Sequence, residues 1–215
     1  TVTYYMHIVH RYHELHGDHG YPETIIYGAS FQQFEDWMNE EDWDSIEKEL
    51  LKGLKVLKRA GADFAVIATN TMHILFDELQ KQIDMPLISI VEATAEAIKD
   101  EGFNKVGLIG TQFSMTKPFY RKGLKKHGID VVIPSKEDRD YIVKVIFEEL
   151  SIGKLIEESR QGYLEIIDKL VAEGAEGIVL GCTEIPLLIR QEDTEVKVFD
   201  TATVHAEKAL QYATQ

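Results

Sequence analysis

Short runs of apolar residues alternate along the 215-residue chain with longer segments in which apolar residues recur every three or four positions. A short apolar run bounded by polar turns is typical of a buried strand, and apolar residues at every third or fourth position are typical of a helix. Because strands alternate with helices, the pattern predicts an α/β fold with parallel sheets flanked by helices. The predicted strands are residues 24–27, 86–90, 105–110, 130–133 and 196–199, with the apolar runs inside 61–71 and 174–184.

The helical pattern predicts helices over residues 91–101, 138–151 and 152–173, and a terminal helix after residue 200. The chain also opens inside a helical pattern, because Tyr5, Ile8, Val9 and Tyr12 fall on one face. An α/β unit ordinarily begins with a strand, so we expect a strand and a loop before Thr1.

One segment of the sequence occurs twice. Residues 61–71 recur without a gap as residues 174–184, and this alignment sets Thr69 against Cys182, the only cysteine. The flanking segments align as well, 51–60 with 164–173 and 86–97 with 197–208. Repeat arrays generally need about three copies, so we interpret the two copies as a duplicated α/β unit rather than a solenoid.

The duplication predicts two α/β units. We expect residues 1–98 to form the first unit and residues 99–200 the second, and we expect the terminal helix, about 201–215, to return to the first unit. In parallel sheets a ligand binds at the carboxyl edge of the strands. Two such edges could face one ligand from opposite sides.

Polar corners follow three of the predicted strands. They are Thr69-Asn70-Thr71, Thr111 with Ser114 and Thr116, and Cys182-Thr183. Their hydroxyl, amide and main-chain N–H groups suit a carboxylate, although each corner alone is more typical of a helix cap. Together the three corners predict a small ligand that carries a carboxylate.

Cys182 is the candidate for acid–base or nucleophilic chemistry. It precedes Thr183, Glu184 and Pro186, a sequence typical of the opening of a helix. A helix N-terminus lowers the pKa of a thiol, so we expect a thiolate at this position. The alternative is a buried cysteine that packs as a small hydrophobic residue.

Five further residues are weaker candidates. His73 and His205 follow apolar strands and could protonate or orient a partner, or could be packed or capping histidines. Lys154 follows a glycine turn and could reach an anion, or could stay in solvent. Ser30 and Gln32 lie beyond the first predicted strand, where they could contact a side-chain carboxylate.

The composition excludes several classes of function. With 37 acidic and 23 basic residues the net charge is −14, so neither nucleic acid nor an anionic membrane is expected as a partner. No apolar run approaches the roughly 20 residues of a membrane span, and no signal-peptide pattern opens the chain. We therefore expect a cytoplasmic protein whose single cysteine forms no internal disulfide. The histidines between His7 and His19 lack a metal-site spacing, so no metal is expected.

Four motifs resemble those of the aspartate/glutamate racemase family, and the similarity covers essentially the whole chain. They are the segments 68–73, 110–111 with 114–115, 181–184, and 200–201 with 205–206. The resemblance implies two α/β units related by a pseudo-twofold axis, with the active site in the cleft between them. It also implies a homodimer and a small amino-acid substrate that is racemised without pyridoxal phosphate or another cofactor.

In this family one cysteine from each unit brackets the substrate α-carbon, and the two exchange its proton from opposite faces. Carried over, Cys182 is the second of these bases. Thr69 occupies the place of the first, as in the subgroup specific for L-aspartate and L-glutamate. The resemblance and the polar corners together give as substrate contacts Asn70, Thr71, Thr111, Thr183, Thr116, Ser30, Gln32, Lys154 and His73. A hydroxyl is a poorer base than a thiolate, so we expect the direction that uses Cys182 as base to be much faster.

Two alternatives remain open. A single-thiol decarboxylase or isomerase of the same superfamily would need one proton donor, with Thr69 only a cap. A binding module for a dicarboxylic amino acid would bind without catalysis. The sequence does not decide between aspartate and glutamate.

Overall fold

The computed structural model describes residues 1–215 as an α/β fold with two parallel sheets. The strands are β1 (Ala65–Val66), β2 (Leu87–Ile88), β3 (Lys105–Gly110), β4 (Asp130–Val132), β5 (Gly177–Gly181) and β6 (Lys197–Asp200). The larger sheet has the order β4-β3-β5-β6, and the smaller sheet pairs β1 with β2. The predicted α/β class, with parallel sheets flanked by helices, is confirmed.

Ten α-helices flank the sheets. They are α1 (Val2–His16), α2 (Phe31–Asn39), α3 (Trp43–Arg59), α4 (Phe76–Gln82), α5 (Ile90–Asp100), α6 (Gln112–Thr116), α7 (Pro118–Lys126), α8 (Lys136–Glu148), α9 (Glu157–Ala172) and α10 (Thr201–Ala213). Short 3₁₀ turns occur at Thr71–Leu75, Leu150–Ile152, Ile185–Leu187 and Gln191–Asp193. None of the helices combines the length and the hydrophobicity that a membrane crossing requires.

Buried side chains cover both faces of the larger sheet, because alternate residues of a strand point to opposite faces. Ile178 and Leu180 of β5 pack in a cluster with residues of α8 and α9. Val179, between them, packs with residues of α5 and α7. Each fully buried side chain of this size contributes about 1.5–3 kcal/mol to folding. The smaller sheet has a separate core with α2, α3 and α4.

The last paired residues of β3 and β5 are both glycines. Gly110 lies beside Gly181, and a Cβ atom on Gly110 would lie 2.7 Å from the carbonyl oxygen of Gly181. No side chain fits in that space. The two strands therefore end at the same level, and the next residues, Thr111 and Cys182, leave the sheet side by side.

Helix α10 returns to the amino-terminal half of the chain, where it packs against α1 and α5. Ala202 and Ala206 of α10 meet Tyr4 of α1 in a small buried cluster. The assignment of this terminal helix to a first unit stays a prediction. The division of the chain into units at residues 98 and 99 stays a prediction.

The predicted strand at residues 24–27 is wrong. These residues pair with no strand, and Ile25 and Ile26 are 46% and 53% exposed. An apolar run becomes a strand only where a neighbouring strand supplies its hydrogen bonds, and none does so here. Ala29 and Phe31, which follow, line the cavity described below.

Candidate active site

A cavity of about 660 Å³ lies where three strands end. Its lining includes Thr69 and Thr71, which follow β1, and Thr111, which follows β3. Cys182 and Thr183, which follow β5, also line it. The structure thus brings together the three corners named from the sequence, and two of them come from adjacent strands of the larger sheet.

Threonine hydroxyls link two of the corners. The Oγ1 atoms of Thr71 and Thr111 lie 3.0 Å apart. Thr111 Oγ1 also accepts a hydrogen bond from the main-chain N–H of Ser114 at 3.2 Å, so it caps α6. The same side chain therefore serves as a helix cap and lines the cavity, and the two interpretations of Thr111 are compatible.

The thiol of Cys182 is buried, with 5% of the residue exposed. Its Sγ atom donates a hydrogen bond to Oε2 of Glu184 at 3.0 Å, and the Thr183 hydroxyl donates to the same oxygen at 2.9 Å. Glu184 also lines the cavity. The sequence placed Glu184 in the cysteine motif but gave it no role, whereas the geometry makes it the direct partner of the thiol.

The expected lowering of the pKa of Cys182 is wrong. Burial raises the pKa of the thiol well above its ordinary value, and the charge of Glu184 and its hydrogen bond with the thiol raise it further. The main-chain N–H groups of Glu184 and Ile185 do lower it, as a helix start should, but their effect is smaller. The helical segment that begins there is a 3₁₀ turn of three residues, Ile185–Leu187, so the N-terminal field is weak.

Thr69 is half-buried and lines the same cavity as Cys182. Its carbonyl oxygen accepts a hydrogen bond from His73, whereas its hydroxyl makes no hydrogen bond within the protein. A hydroxyl acts as a base only when a neighbouring base takes its proton. No side-chain base is hydrogen-bonded to the Thr69 hydroxyl, so no hydrogen bond within the protein activates it as a base.

His73 and His205, the two histidines of the sequence motifs, are buried and neutral. His73 Nε2 accepts from the Ile90 N–H at 3.1 Å, so Nδ1 carries the proton and donates to the Thr69 carbonyl at 2.8 Å. His205 Nε2 lies 2.8 Å from the Ile88 carbonyl and must donate to it, which leaves Nδ1 to accept from the Tyr4 hydroxyl. Neither ring lines the cavity.

Burial is the main reason that both histidines stay neutral. It lowers the pKa of His73 from 6.5 to about 3, with a further contribution from His205. It lowers the pKa of His205 to about 4. Each ring has both nitrogens in hydrogen bonds, so each holds main chain in place.

Asn70 is one of the residues that line the cavity, but only 2% of it is exposed, and both ends of its side-chain amide are hydrogen-bonded within the protein. Its amide bonds Tyr120 and Thr201, neither of which lines the cavity. Sequence patterns gave no indication of Tyr120, because it lies 50 positions from Asn70.

In addition to His73, four of the substrate contacts predicted from the sequence lie outside the cavity lining. Ser30 is exposed at the start of α2, and Gln32 donates hydrogen bonds to Glu35 and Asp36 of its own helix. The Thr116 hydroxyl donates to the carbonyl of Gln112. Lys154 is exposed.

The rest of the cavity wall is mostly apolar. It includes the aromatic residues Tyr4, Tyr27, Phe113 and Phe147, and its charged side chains are Glu49 and Glu184. No lysine or arginine lines it. Tyr4 and Phe147 belong to α1 and α8, and their approach to the strand ends depends on tertiary packing that no local pattern encodes.

Known proteins of one family match this chain. The model of the Asp/Glu/Hydantoin racemase family matches residues 1–209. A solved structure of a candidate Asp/Glu racemase from Yersinia pestis is 40% identical, covers 100% of this chain and 94% of its own, and has a TM-score of 0.92. An aspartate racemase homologue from Pyrococcus horikoshii is 39% identical over 100% of this chain and 93% of its own, with a TM-score of 0.87.

A curated relative agrees with these structures. The broad-specificity amino-acid racemase RacX of Bacillus subtilis is 23% identical over 90% of this chain and 82% of its own length. The sequence matches and the structural matches therefore identify the same family over nearly the whole chain. The chain belongs to the Asp/Glu/Hydantoin racemase family and is an isomerase of the racemase type.

Proposed function

We propose that this chain is a cofactor-independent racemase of a small acidic amino acid, with Cys182 and Thr69 on opposite faces of the substrate α-carbon. The observation that supports the proposal most directly is that a thiol and a hydroxyl from two different strand ends line one cavity. Inversion of a carbon centre needs an acid and a base on opposite faces, each within about 3 Å of the path of the proton.

The threonine hydroxyls bind the substrate carboxylate in this proposal. Loss of the α-proton shifts negative charge onto that carboxylate, and donors already aimed at it lower the barrier. Thr71 and Thr111 supply hydroxyls that line the cavity, and the Thr183 hydroxyl, which donates to Glu184, becomes available once Glu184 has taken the thiol proton. Main-chain N–H groups of the same corners add further donors.

Glu184 takes the thiol proton of Cys182 in the first step. The S–H group already points at Oε2, so the proton moves along an existing hydrogen bond and leaves a thiolate beside a neutral carboxyl group. The thiolate then removes the α-proton, and the electron pair of the C–H bond stays on the α-carbon and the carboxylate. The proton that leaves sulfur stays within the pair on Glu184, so the pair ends the step with one more proton, which is the one that the substrate has lost.

Thr69 delivers a proton to the opposite face. Because its hydroxyl has no base beside it, it cannot remove an α-proton efficiently, and it recovers the proton that it donates from solvent. Catalysis should therefore be asymmetric, with fast turnover only of the enantiomer whose α-hydrogen points at Cys182. We assign that enantiomer as L.

The relatives support an acidic substrate more than the charge of the cavity does. The solved structure at 40% identity is a candidate Asp/Glu racemase, and the one at 39% identity is an aspartate racemase homologue. The cavity itself offers neutral hydroxyl donors and two acidic side chains, Glu49 and Glu184. A side-chain carboxylate would therefore bind through hydroxyl and main-chain donors.

Incubation in deuterium oxide tests the proposal. L-Aspartate, L-glutamate and L-alanine are each incubated with the protein and with Cys182→Ser, and α-deuterium and enantiomer ratio are measured by NMR and chiral chromatography. The proposal expects deuterium and D-isomer from an acidic substrate, and neither from Cys182→Ser. Absence of exchange with all three amino acids would overturn it, and exchange only with alanine would overturn the acidic substrate.

Single-thiol chemistry is a second candidate, and the unpartnered hydroxyl of Thr69 favours it. With one base, a decarboxylase needs only Cys182 as proton donor. The same incubation distinguishes the two, because decarboxylation releases carbon dioxide and a racemase does not. Stabilisation of the protein by substrate without exchange would instead indicate a binding module.

We further propose that the protein is a cytoplasmic homodimer, on the basis of the family resemblance. Light scattering after size-exclusion chromatography tests the oligomeric state. A mass near the 24.5 kDa of one chain would contradict the dimer.

A further inference from the structure

A chain of buried hydrogen bonds connects the two corners that carry Thr69 and Cys182. The Tyr120 hydroxyl donates to Asn70 Oδ1 at 2.7 Å, and Asn70 Nδ2 donates to Thr201 Oγ1 at 3.0 Å. The Thr201 hydroxyl in turn donates to the carbonyl of Leu180 at 2.8 Å. The chain begins on α7 and ends on β5.

The ends of this chain lie close in sequence to the two proposed bases. Asn70 directly follows Thr69, and Leu180 is separated from Cys182 only by Gly181. The hydrogen bonds therefore tie the main chain that carries the hydroxyl to the main chain that carries the thiol. Two members of the link, Tyr120 and Thr201, lie outside the cavity lining.

The chain is shielded from water. Tyr120 and Thr201 are fully buried, and Asn70 is 2% exposed. A buried polar group that loses its partner keeps the cost of its lost hydration, so each member holds the next in place. Burial raises the pKa of Tyr120, which keeps its hydroxyl protonated and able to donate.

The asparagine amide satisfies both partners at once, because it offers one acceptor and one donor. Tyr120 needs an acceptor and Thr201 Oγ1, whose proton goes to Leu180, needs a donor. Asp would offer no donor and would bury a charge, and Ala would leave both partners unsatisfied. The side chain does not cap the turn that follows it either, because Asn70 makes no side-chain capping bond.

We propose that Asn70 is a positioning residue, which together with Tyr120 and Thr201 sets the separation between Thr69 and Cys182 across the substrate. This inference rests on the proposed racemase function. It assigns the amide to the geometry of the two bases and leaves the substrate carboxylate to the threonine hydroxyls. Small errors in such a separation are costly, because a misplacement of about 1 Å can reduce a rate about a hundredfold.

Tyr120→Phe tests the proposal, because it removes one hydrogen bond without altering a residue that lines the cavity. The matched control is Tyr163→Phe. Tyr163 is also fully buried, and its hydroxyl also donates one hydrogen bond, to the Ile142 carbonyl at 3.1 Å, but it has no link to Asn70. Thr201→Val is the second test variant, for use if Tyr120→Phe does not fold.

The measurements are kcat and KM for α-deuterium exchange, the rate of Cys182 alkylation by iodoacetamide, and crystal structures of wild type and variant. Tyr120→Phe should lower kcat about tenfold, with KM within about twofold and alkylation unchanged, whereas Tyr163→Phe should keep wild-type kcat. The structures should show a changed distance from Thr69 Oγ1 to Cys182 Sγ in Tyr120→Phe only.

Three results would overturn the inference. Equal kcat in the two variants would show that the link is merely structural, and a rise in KM without a fall in kcat would make Asn70 a substrate contact. An unchanged distance between the two atoms would exclude the positioning role whatever the activity. If the wild type exchanges no α-proton, the racemase proposal fails separately, and the measured distance still tests the link.

Discussion

Cys182 and Glu184 form a thiol–carboxylate pair, in which Sγ donates to Oε2 at 3.0 Å. The pair holds one proton and one negative charge at the edge of the cavity. A carboxylate that accepts from a thiol stabilises the thiol form, which accounts for part of the raised pKa of Cys182. Glu184 is also the group that can accept the thiol proton. It therefore disfavours the thiolate at rest and allows it to form during the reaction.

Glu184→Gln should therefore change thiol reactivity and turnover in opposite directions. Without the negative charge the pKa of Cys182 falls, so alkylation by iodoacetamide at pH 7 should become about tenfold faster for each pKa unit. Exchange of the α-proton should slow by about tenfold or more, since the proton acceptor is lost. Alkylation rates across pH 6 to 10 and exchange rates measure the two effects.

Glu49→Gln is the control for this pair, because Glu49 lines the same cavity but accepts from Tyr27 and Lys52 instead of the thiol. It should leave alkylation unchanged. Identical alkylation of wild type and Glu184→Gln would show that Glu184 does not govern the thiol.

Thr69→Cys should add turnover of the D-enantiomer. A thiol at this corner can act as a base where the unpartnered hydroxyl cannot, so the ratio of D-isomer to L-isomer turnover should rise about tenfold or more. Exchange rates with each enantiomer measure the ratio, and Thr69→Ser, which keeps the hydroxyl, should not change it. Equal turnover of both enantiomers by the unmodified protein would contradict the assignment of Thr69.

Mild acid should destabilise the protein through its two buried histidines. Their pKa values are about 3 and about 4 in the folded state against 6.5 when exposed, so the unfolded chain binds more protons below pH 6.5. The free energy of unfolding should thus be highest above pH 6.5 and fall as the pH drops towards 4. The slope approaches roughly 1.4 kcal/mol per pH unit for each histidine.

Urea unfolding between pH 7 and pH 5 measures this slope. His205→Gln should flatten it, whereas His13→Gln, at an exposed position of α1, should not. A slope that is unchanged in His205→Gln would mean that the ring is protonated in the folded protein.

Gly110→Ala should destabilise the fold by about 1–3 kcal/mol. The new Cβ atom would lie 2.7 Å and 2.9 Å from main-chain atoms of Gly181, which cannot move without parting two buried strands. Gly28→Ala is the matched control, because nothing lies within 4 Å of its Cβ position and its φ is not left-handed. The midpoints of urea unfolding measure the stability of the two variants, and equal midpoints would contradict the prediction.

The duplicated segment carried most of what could be predicted about the site. Alignment of its two copies set Thr69 against Cys182, each after the carboxyl end of a parallel strand, and the two residues, which follow strands of different sheets, line one cavity. The alternation of apolar runs and helical spacing likewise predicted the strands of the larger sheet. Its two central strands, β3 and β5, gave the clearest signal, because they are buried on both faces and are continuous apolar runs in the sequence.

The features that the sequence did not predict depend on partners that are distant in sequence or on competing local effects. The apolar run at 24–27 met no strand, which a local pattern cannot reveal. The pKa of Cys182 combined the opposing effects of a helix start, burial and Glu184, and only coordinates give their balance. The amide of Asn70 found Tyr120 and Thr201 at separations of 50 and 131 positions.

Gly110 and Gly181, which face each other at the ends of β3 and β5, limit how the substrate preference of this enzyme could change. The spacing of Thr111 and Cys182 is dictated by backbone alone, so exchanging side chains elsewhere in the cavity cannot widen or narrow it. New substrate preferences would have to arise from the aromatic wall, where Tyr27, Phe113 and Phe147 stand, while Thr111 and Cys182 keep the same spacing.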